Sequence, residues 1–106
     1  MTEFSLNDFL DHRVVLDTSG PMLYIGRMAG FDGDGYWLVD ADVHDRSDGH
    51  STKEQYVSEA YGLERSGSLR VNRRRVYVER RAVISISRLT DVVTEEQDAD
   101  LDVRTR

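Results

Sequence analysis

Asp40, Asp42 and His44 occupy alternate positions in the run YWLVDADVHD. On an extended strand, residues at i, i+2 and i+4 share a face, and two carboxylates beside an imidazole can hold a divalent cation that activates water for hydrolysis. The same spacing occurs on any strand with a wet side, so the solvated face of a sheet is the stronger reading and metal-assisted hydrolysis the weaker one. An EF-hand is excluded, because the glycine and closing glutamate it needs are missing after Asp40. Ser66 and Ser68 lie in a loop-like stretch with neither a Gly-x-Ser-x-Gly elbow nor a phosphate-cradling glycine loop. The pairs Asp32-Gly33 and Asp34-Gly35 are hairpin chemistry. With no cysteine in the chain, thiol catalysis, disulfides and cysteine-ligated zinc drop out together. The expectation is a protein without catalytic residues, metal or cofactor.

A second set of residues offers cationic chemistry. Between positions 65 and 81 stand seven arginines (Arg65, Arg70, Arg73, Arg74, Arg75, Arg80 and Arg81) against one acid, Glu79. The residues before Arg65 carry thirteen acids and four basic groups, and the whole chain has a net charge of -6. An acidic body argues against indiscriminate binding to phosphate backbones, while its basic segment offers one place where phosphates could be held. Arg73, Arg74 and Arg75 could bind phosphates, and arginines on an edge strand equally discourage sheet aggregation. Both readings stand on the sequence.

Elements must position these residues. In SLNDFLDH, Ser5 serves as an N-cap, Asp8 faces the free amides, and Leu6, Phe9 and Leu10 recur at helical spacing, which predicts a short N-terminal helix. RVVLD, closed by TSGP, predicts a strand, and MLYIGRM a second whose Gly26 suits a sharp bend or a close backbone approach. In the third strand, simple alternation puts Trp37, Val39, Ala41 and Val43 on a packed face and Tyr36, Leu38, Asp40, Asp42 and His44 on a wetter one. STKEQYVSEAYGL opens on a capping box from Ser51 to Glu54 and carries Tyr56, Val57, Ala60, Tyr61 and Leu63 at helical spacing. RRRVYVER and RAVISIS predict two more strands joined by a tight turn near Arg80, before an acidic, flexible tail. The predicted fold is mostly β: a small, strongly bent five-stranded open barrel with an N-terminal helix and a helical insertion between strands 3 and 4. One domain spans 1–90, with the insertion at about 46–71 and the tail at 91–106. No apolar run approaches the ~18 residues of a membrane span and the N-terminus lacks secretory-signal features, so a cytoplasmic protein is expected.

The stretch GRMAGFDGDGYWLVDAD resembles the first signature of the Sm-like (LSm) family. A glycine in a bent second strand is followed by an apolar residue, an apolar-Asp pair, a short turn and an apolar third strand ending in acids. Gly26, Met28, Phe31, Asp32, Trp37, Val39 and Asp40 fall on those positions, and VYVERRAVISI, Val76 to Ile86, resembles the second signature. The likeness spans about Leu6 to Leu89, with the helical insertion marking a divergent, bacterial-type member. It implies a homo-oligomeric ring in which the last two strands pair head to tail between neighbours, through Val76, Tyr77, Val78, Ile84 and Ile86. It also implies RNA as a partner, with Asp32, Tyr36 and Arg80 as candidate contacts and Arg73, Arg74 and Arg75 as further ones. The family holds uracil with an aromatic or histidine in the turn, an asparagine before the third strand and an Arg-Gly pair. This chain has Asp34, Tyr36, and Glu79 with Arg80 there, so the usual pocket is damaged and Tyr36 and Arg80 remain to build another. The leading expectation is an RNA-binding or RNA-associated ring without catalysis. The alternatives are a protein-interaction platform docking through the Ser51 to Leu63 helix, and the hydrolase at Asp40, Asp42 and His44.

Overall fold

The computed structural model describes residues 4–49 and 51–93. Five strands form one antiparallel sheet: β1 (Arg13–Thr18), β2 (Met22–Phe31), β3 (Gly35–Asp45), β4 (Arg73–Glu79) and β5 (Val83–Arg88). Their order is β4-β3-β2-β1-β5, so β4 and β5 are the edges of an open barrel. A helix, α1 (Lys53–Arg65), lies between β3 and β4. The N-terminal helix is a single 3₁₀ turn, Leu6–Phe9, closed by the expected capping box between Ser5 and Asp8. No helix of the described residues is long and apolar enough to cross a membrane.

The bend is set where β2 meets β3. Arg27 pairs with Val39 and Ile25 with Asp42, so β3 places one extra residue opposite Gly26, and Asp40 absorbs it with a left-handed φ of 48°. A Cβ on Gly26 would lie 3.0 Å from that of Ala41, so the close approach read from the sequence is present. A second irregularity runs the other way: Met28 pairs with Leu38 but Gly30 with Trp37, leaving Ala29 extra on β2.

These bulges overturn the simple alternation expected for β3. Tyr36 and Leu38 face the core at 6% and 0% exposure, whereas Trp37 is 41% exposed. Beyond Asp40 the register has slipped by one, so Ala41 faces inward and Asp42 is buried too. Trp37 is therefore an outer-face residue, not a core one.

Two apolar clusters back onto each other through the sheet. Val14, Leu16, Met28, Tyr36, Leu38, Ala41 and Val78 form one, covered by Leu6, Phe9 and Leu10 of the N-terminal turn. Val15, Leu23, Ile25, Ala60 and Leu89 form the other, beneath Tyr56, Val57 and Tyr61 of α1. Burial on both faces explains why β1 reads as an unbroken apolar run, VVL.

The N-terminus of α1 lies one residue later than the sequence suggested: Thr52 and Gln55, not Ser51 and Glu54, form the reciprocal cap. Both pairs fit the pattern, and starting at Thr52 lets Lys53 bridge to Asp17 at 2.6 Å and to the carbonyls of Thr18 and Gly20. At the other end of the chain, a 3₁₀ turn (Leu89–Asp91) buries Leu89 and Val92 packs on the α1 cluster, beyond the expected domain end at 90. The remainder of the expected tail, 94–106, lies outside the described residues.

Candidate nucleic-acid interface

The β2–β3 turn is organised by one carboxylate. Asp32 Oδ1 accepts the backbone N–H groups of Asp34 (2.8 Å) and Gly35 (2.9 Å), the turn role expected for it, and also the Tyr77 hydroxyl at 3.0 Å. The Asp34 amide, then Tyr77 and the Gly35 amide, hold its carboxyl below the usual value of 3.8. Desolvation, followed by the bond to Asp32 and the charges of Asp32, Asp34 and Glu79, pushes the Tyr77 hydroxyl up to about 12. Tyr77 lies over bare backbone: a Cβ on Gly35 would sit 2.4 Å from the Val78 carbonyl oxygen and 2.6 Å from the tyrosine ring. From there the ring meets the Trp37 indole, centroids 4.8 Å apart and planes tilted by 54°.

Trp37 pairs across the ladder with Tyr77 on one side and Gly30 on the other, and Val39 pairs with Arg75 and Arg27. Paired residues project to the same face, so the outer face of β2–β3–β4 combines two aromatic rings with two guanidinium groups. Ala29, Gly30, Trp37, Val39 and Arg75 line a shallow cleft of about 270 Å³ there. Arg73, Arg74 and Arg75 are all exposed along β4. Among the described residues, Arg74 and Arg75 have no hydrogen-bond or ion-pair partner, while Arg27 pairs with Asp11 at 3.1 Å.

The expected RNA contacts do not form a single pocket. Tyr36 is in the first core cluster at 6% exposure, paired with Phe31 on one side and Val78 on the other, so its ring is not open to a base. Arg80 is fastened to the turn, its N–H on the Asp34 carbonyl at 2.8 Å and its guanidinium on that of Gly33 at 3.4 Å. Arg73, Arg74 and Arg75 lie at the opposite end of β4. The residue missed from the sequence is Trp37 as an exposed aromatic, set against the half-buried ring of Tyr77, which was expected only as an interface residue. Only the bulge at Asp40 would have revealed it, since unbroken alternation back from Ala41 points Trp37 inward.

Of the expected interface residues, Val76, Val78 and Ile86 pack on the chain's own core, whereas Ile84 is 65% exposed. Both edge strands retain an unpaired ladder side among the described residues.

The Asp40, Asp42, His44 ladder is taken apart by the bulge. Asp40 is exposed and its carbonyl accepts the Arg13 guanidinium at 3.0 Å. Asp42, 4% exposed, accepts the Tyr56 hydroxyl and the Asn72 amide, and the His44 ring stacks on Tyr56 with centroids 3.7 Å apart. Arg70 lies over the other reach of the Tyr56 ring, 4.9 Å from its centroid, and bonds Glu59 at 3.3 Å. These groups dock α1 on the sheet, so Asp42 is not the solvated residue expected. Among the described residues no three His, Asp or Glu side chains converge as a metal ion requires. Of the apolar stripe of α1, Tyr56, Val57, Ala60 and Tyr61 pack on the second cluster.

No family model and no curated protein matches the chain. Solved structures that share its architecture include the following two. One is the Pyrococcus abyssii Sm protein in complex with a uridine heptamer, 18% identical, with a TM-score of 0.53 over 81% of this chain and 99% of that one. The other is a chain of the NatC complex bound to CoA, 17% identical, with a TM-score of 0.52 over 95% of this chain and 99% of that one. With five antiparallel strands bent into an open barrel behind a short N-terminal turn, the chain has an Sm-like fold.

Proposed function

We propose that the chain is a divergent Sm-like protein that self-associates through its β4 and β5 edges and binds single-stranded RNA, without catalysis of its own. The observation that carries this reading is the outer face of β3 and β4: Arg75, whose guanidinium has no partner among the described residues, stands for a phosphate beside the exposed Trp37 indole and the half-buried Tyr77 ring. Support also comes from the Pyrococcus protein of the same fold, which holds a uridine heptamer. The binding surface differs from a uridine pocket at the hairpin turn, since Tyr36 is buried and Asp32 and Arg80 are engaged in holding the turn. In this reading α1 is an insertion between the two Sm signatures.

The test is fluorescence anisotropy of labelled oligonucleotides titrated with the protein across a salt series. Three arginine contacts to a single strand give a slope of log affinity against log salt of about -2, at roughly 0.7 per phosphate neutralised. No oligonucleotide binding at any salt concentration favours the second reading, a subunit of a protein assembly, for which the likeness to a chain of the NatC complex speaks.

A further inference from the structure

The cleft beside Trp37 has the dimensions and chemistry of a single-base site. Its wall is an indole 41% exposed between two buried neighbours, Tyr36 and Leu38. Tyr77 braces that indole, and is itself held by Asp32 and by the bare backbone of Gly35, so the aromatic wall is preset before anything binds. Gly30 faces the indole across the ladder, and a Cβ built on it meets nothing within 4 Å. The missing side chain leaves the cleft open. Val39 completes the apolar lining, and Arg75, with no partner among the described residues, stands at the edge.

We infer that this cleft holds one unstacked nucleobase of a single-stranded RNA, with its phosphate on Arg75. The inference rests on the RNA-binding reading above and names the site within it. Charge orders the strand on the surface: Asp32, Asp34 and Glu79 around Tyr77 repel phosphates at the turn, while Arg73, Arg74 and Arg75 attract them at the other end of β4. A base inside a duplex has both faces covered and cannot enter, so the site selects single strands. The lining offers only two hydrogen-bonding side chains, the Trp37 indole N–H and Arg75, both donors, so recognition rests on stacking and the four bases are accepted with little discrimination.

Trp37 is the only tryptophan in the chain, so its emission reports on this cleft alone. Fluorescein-labelled heptauridine and a mixed-sequence heptamer are titrated at low salt, with label anisotropy and Trp37 emission followed together. The expected result is quenching of Trp37 with the same midpoint as the anisotropy change. Gly30→Val fills the cleft from open space, and should leave the thermal midpoint nearly unchanged while weakening binding roughly tenfold to a hundredfold, the loss of one stacked base. RNA binding with unaltered emission, matched by a Gly30→Val protein that binds as tightly, overturns the cleft and leaves RNA binding elsewhere on the chain. No anisotropy change at any salt concentration overturns both. Trp37 emission that shifts on dilution of the protein alone assigns the cleft to a second copy of the chain, and overturns it as well. Should Gly30→Val fail to fold, the emission of the unmodified protein still decides.

Discussion

Removing one oxygen atom tests how α1 is held. Tyr56→Phe keeps the ring that stacks on His44 at 3.7 Å and packs over the second core cluster, but deletes the hydroxyl that donates to Asp42. Asp42 is 4% exposed, and its other side-chain donor, the Asn72 amide, is 3.3 Å away. The carboxylate is then left buried with one long bond, and water cannot reach it without local opening. Hydrogen bonds to charged groups contribute about 1.5–3 kcal/mol, so the substitution should cost about 2 kcal/mol and lower Tm on the order of 10 °C for a domain of this size. Equilibrium urea unfolding should show the loss in the midpoint with an unchanged slope. Asp42→Asn and the double variant complete a cycle whose coupling energy isolates the bond. A coupling near zero, or a Tyr56→Phe cost below about 0.5 kcal/mol, would refute the reasoning and leave α1 held by apolar packing and by the ion pairs at its ends.

Other substitutions follow from the same geometry. Trp37→Ala should cost about 1–2 kcal/mol and Leu38→Ala more, about 2–5, because the indole is on the outer face and Leu38 is fully buried; denaturant unfolding gives the order, and the reverse order would restore simple alternation. Gly35→Ala forces a methyl against the Val78 carbonyl and the Tyr77 ring, so an overpacking cost of about 1–3 kcal/mol should accompany loss of the Trp37–Tyr77 contact, seen in near-ultraviolet circular dichroism. Tyrosinate absorbance should show one group titrating near 12, absent in Tyr77→Phe and lowered in Asp32→Asn. Since the folded value is raised above 10, the stability this bond supplies is whole below pH 10 and lost as pH climbs through 12. Ile84→Lys places a charge on an exposed edge residue, so light scattering should report the 12.2 kDa single chain in place of an assembly while circular dichroism stays folded.

Short-range signals carried most of the fold. The N-cap at Ser5, the bend glycine at Gly26, the turn acid at Asp32 and the β-branched runs of β1, β4 and β5 each act within a few residues, and each is present in the structure. What failed in the sheet required knowledge of two strands at once. A bulge is a mismatch between partners, so nothing in YWLVDADVHD by itself shows that Gly26 must be faced by two residues of β3 or that Gly30 must face Trp37. That single ambiguity inverted the reading of Tyr36, Trp37 and Asp42, and with them the candidate site. Tyr56 and Asn72 were equally out of reach, being 14 and 30 residues from the carboxylate they serve.

The helix between β3 and β4 is bound into the fold more deeply than an insertion need be. Val15, Leu23 and Ile25 project from the face of β1 and β2 opposite the first cluster, and in the described chain it is Ala60, Tyr56, Val57 and Tyr61 of α1, with Leu89 and Val92, that cover them. A sheet apolar on both faces is stable only when both are covered. Lys53 ties one end of α1 to Asp17, and Arg13 reaches Glu64 near the other at 3.9 Å. Asp42 joins the helix to the middle of the longest strand. A chain shortened from Asp45 to Asn72 by a tight turn would therefore expose an apolar face and strand a buried carboxylate. The arginines of β4 follow directly after Asn72, whose side chain bonds both Val43 backbone groups. The docking of α1 thus sets where β4 begins, and so places Arg75 opposite Val39 and Tyr77 opposite Trp37.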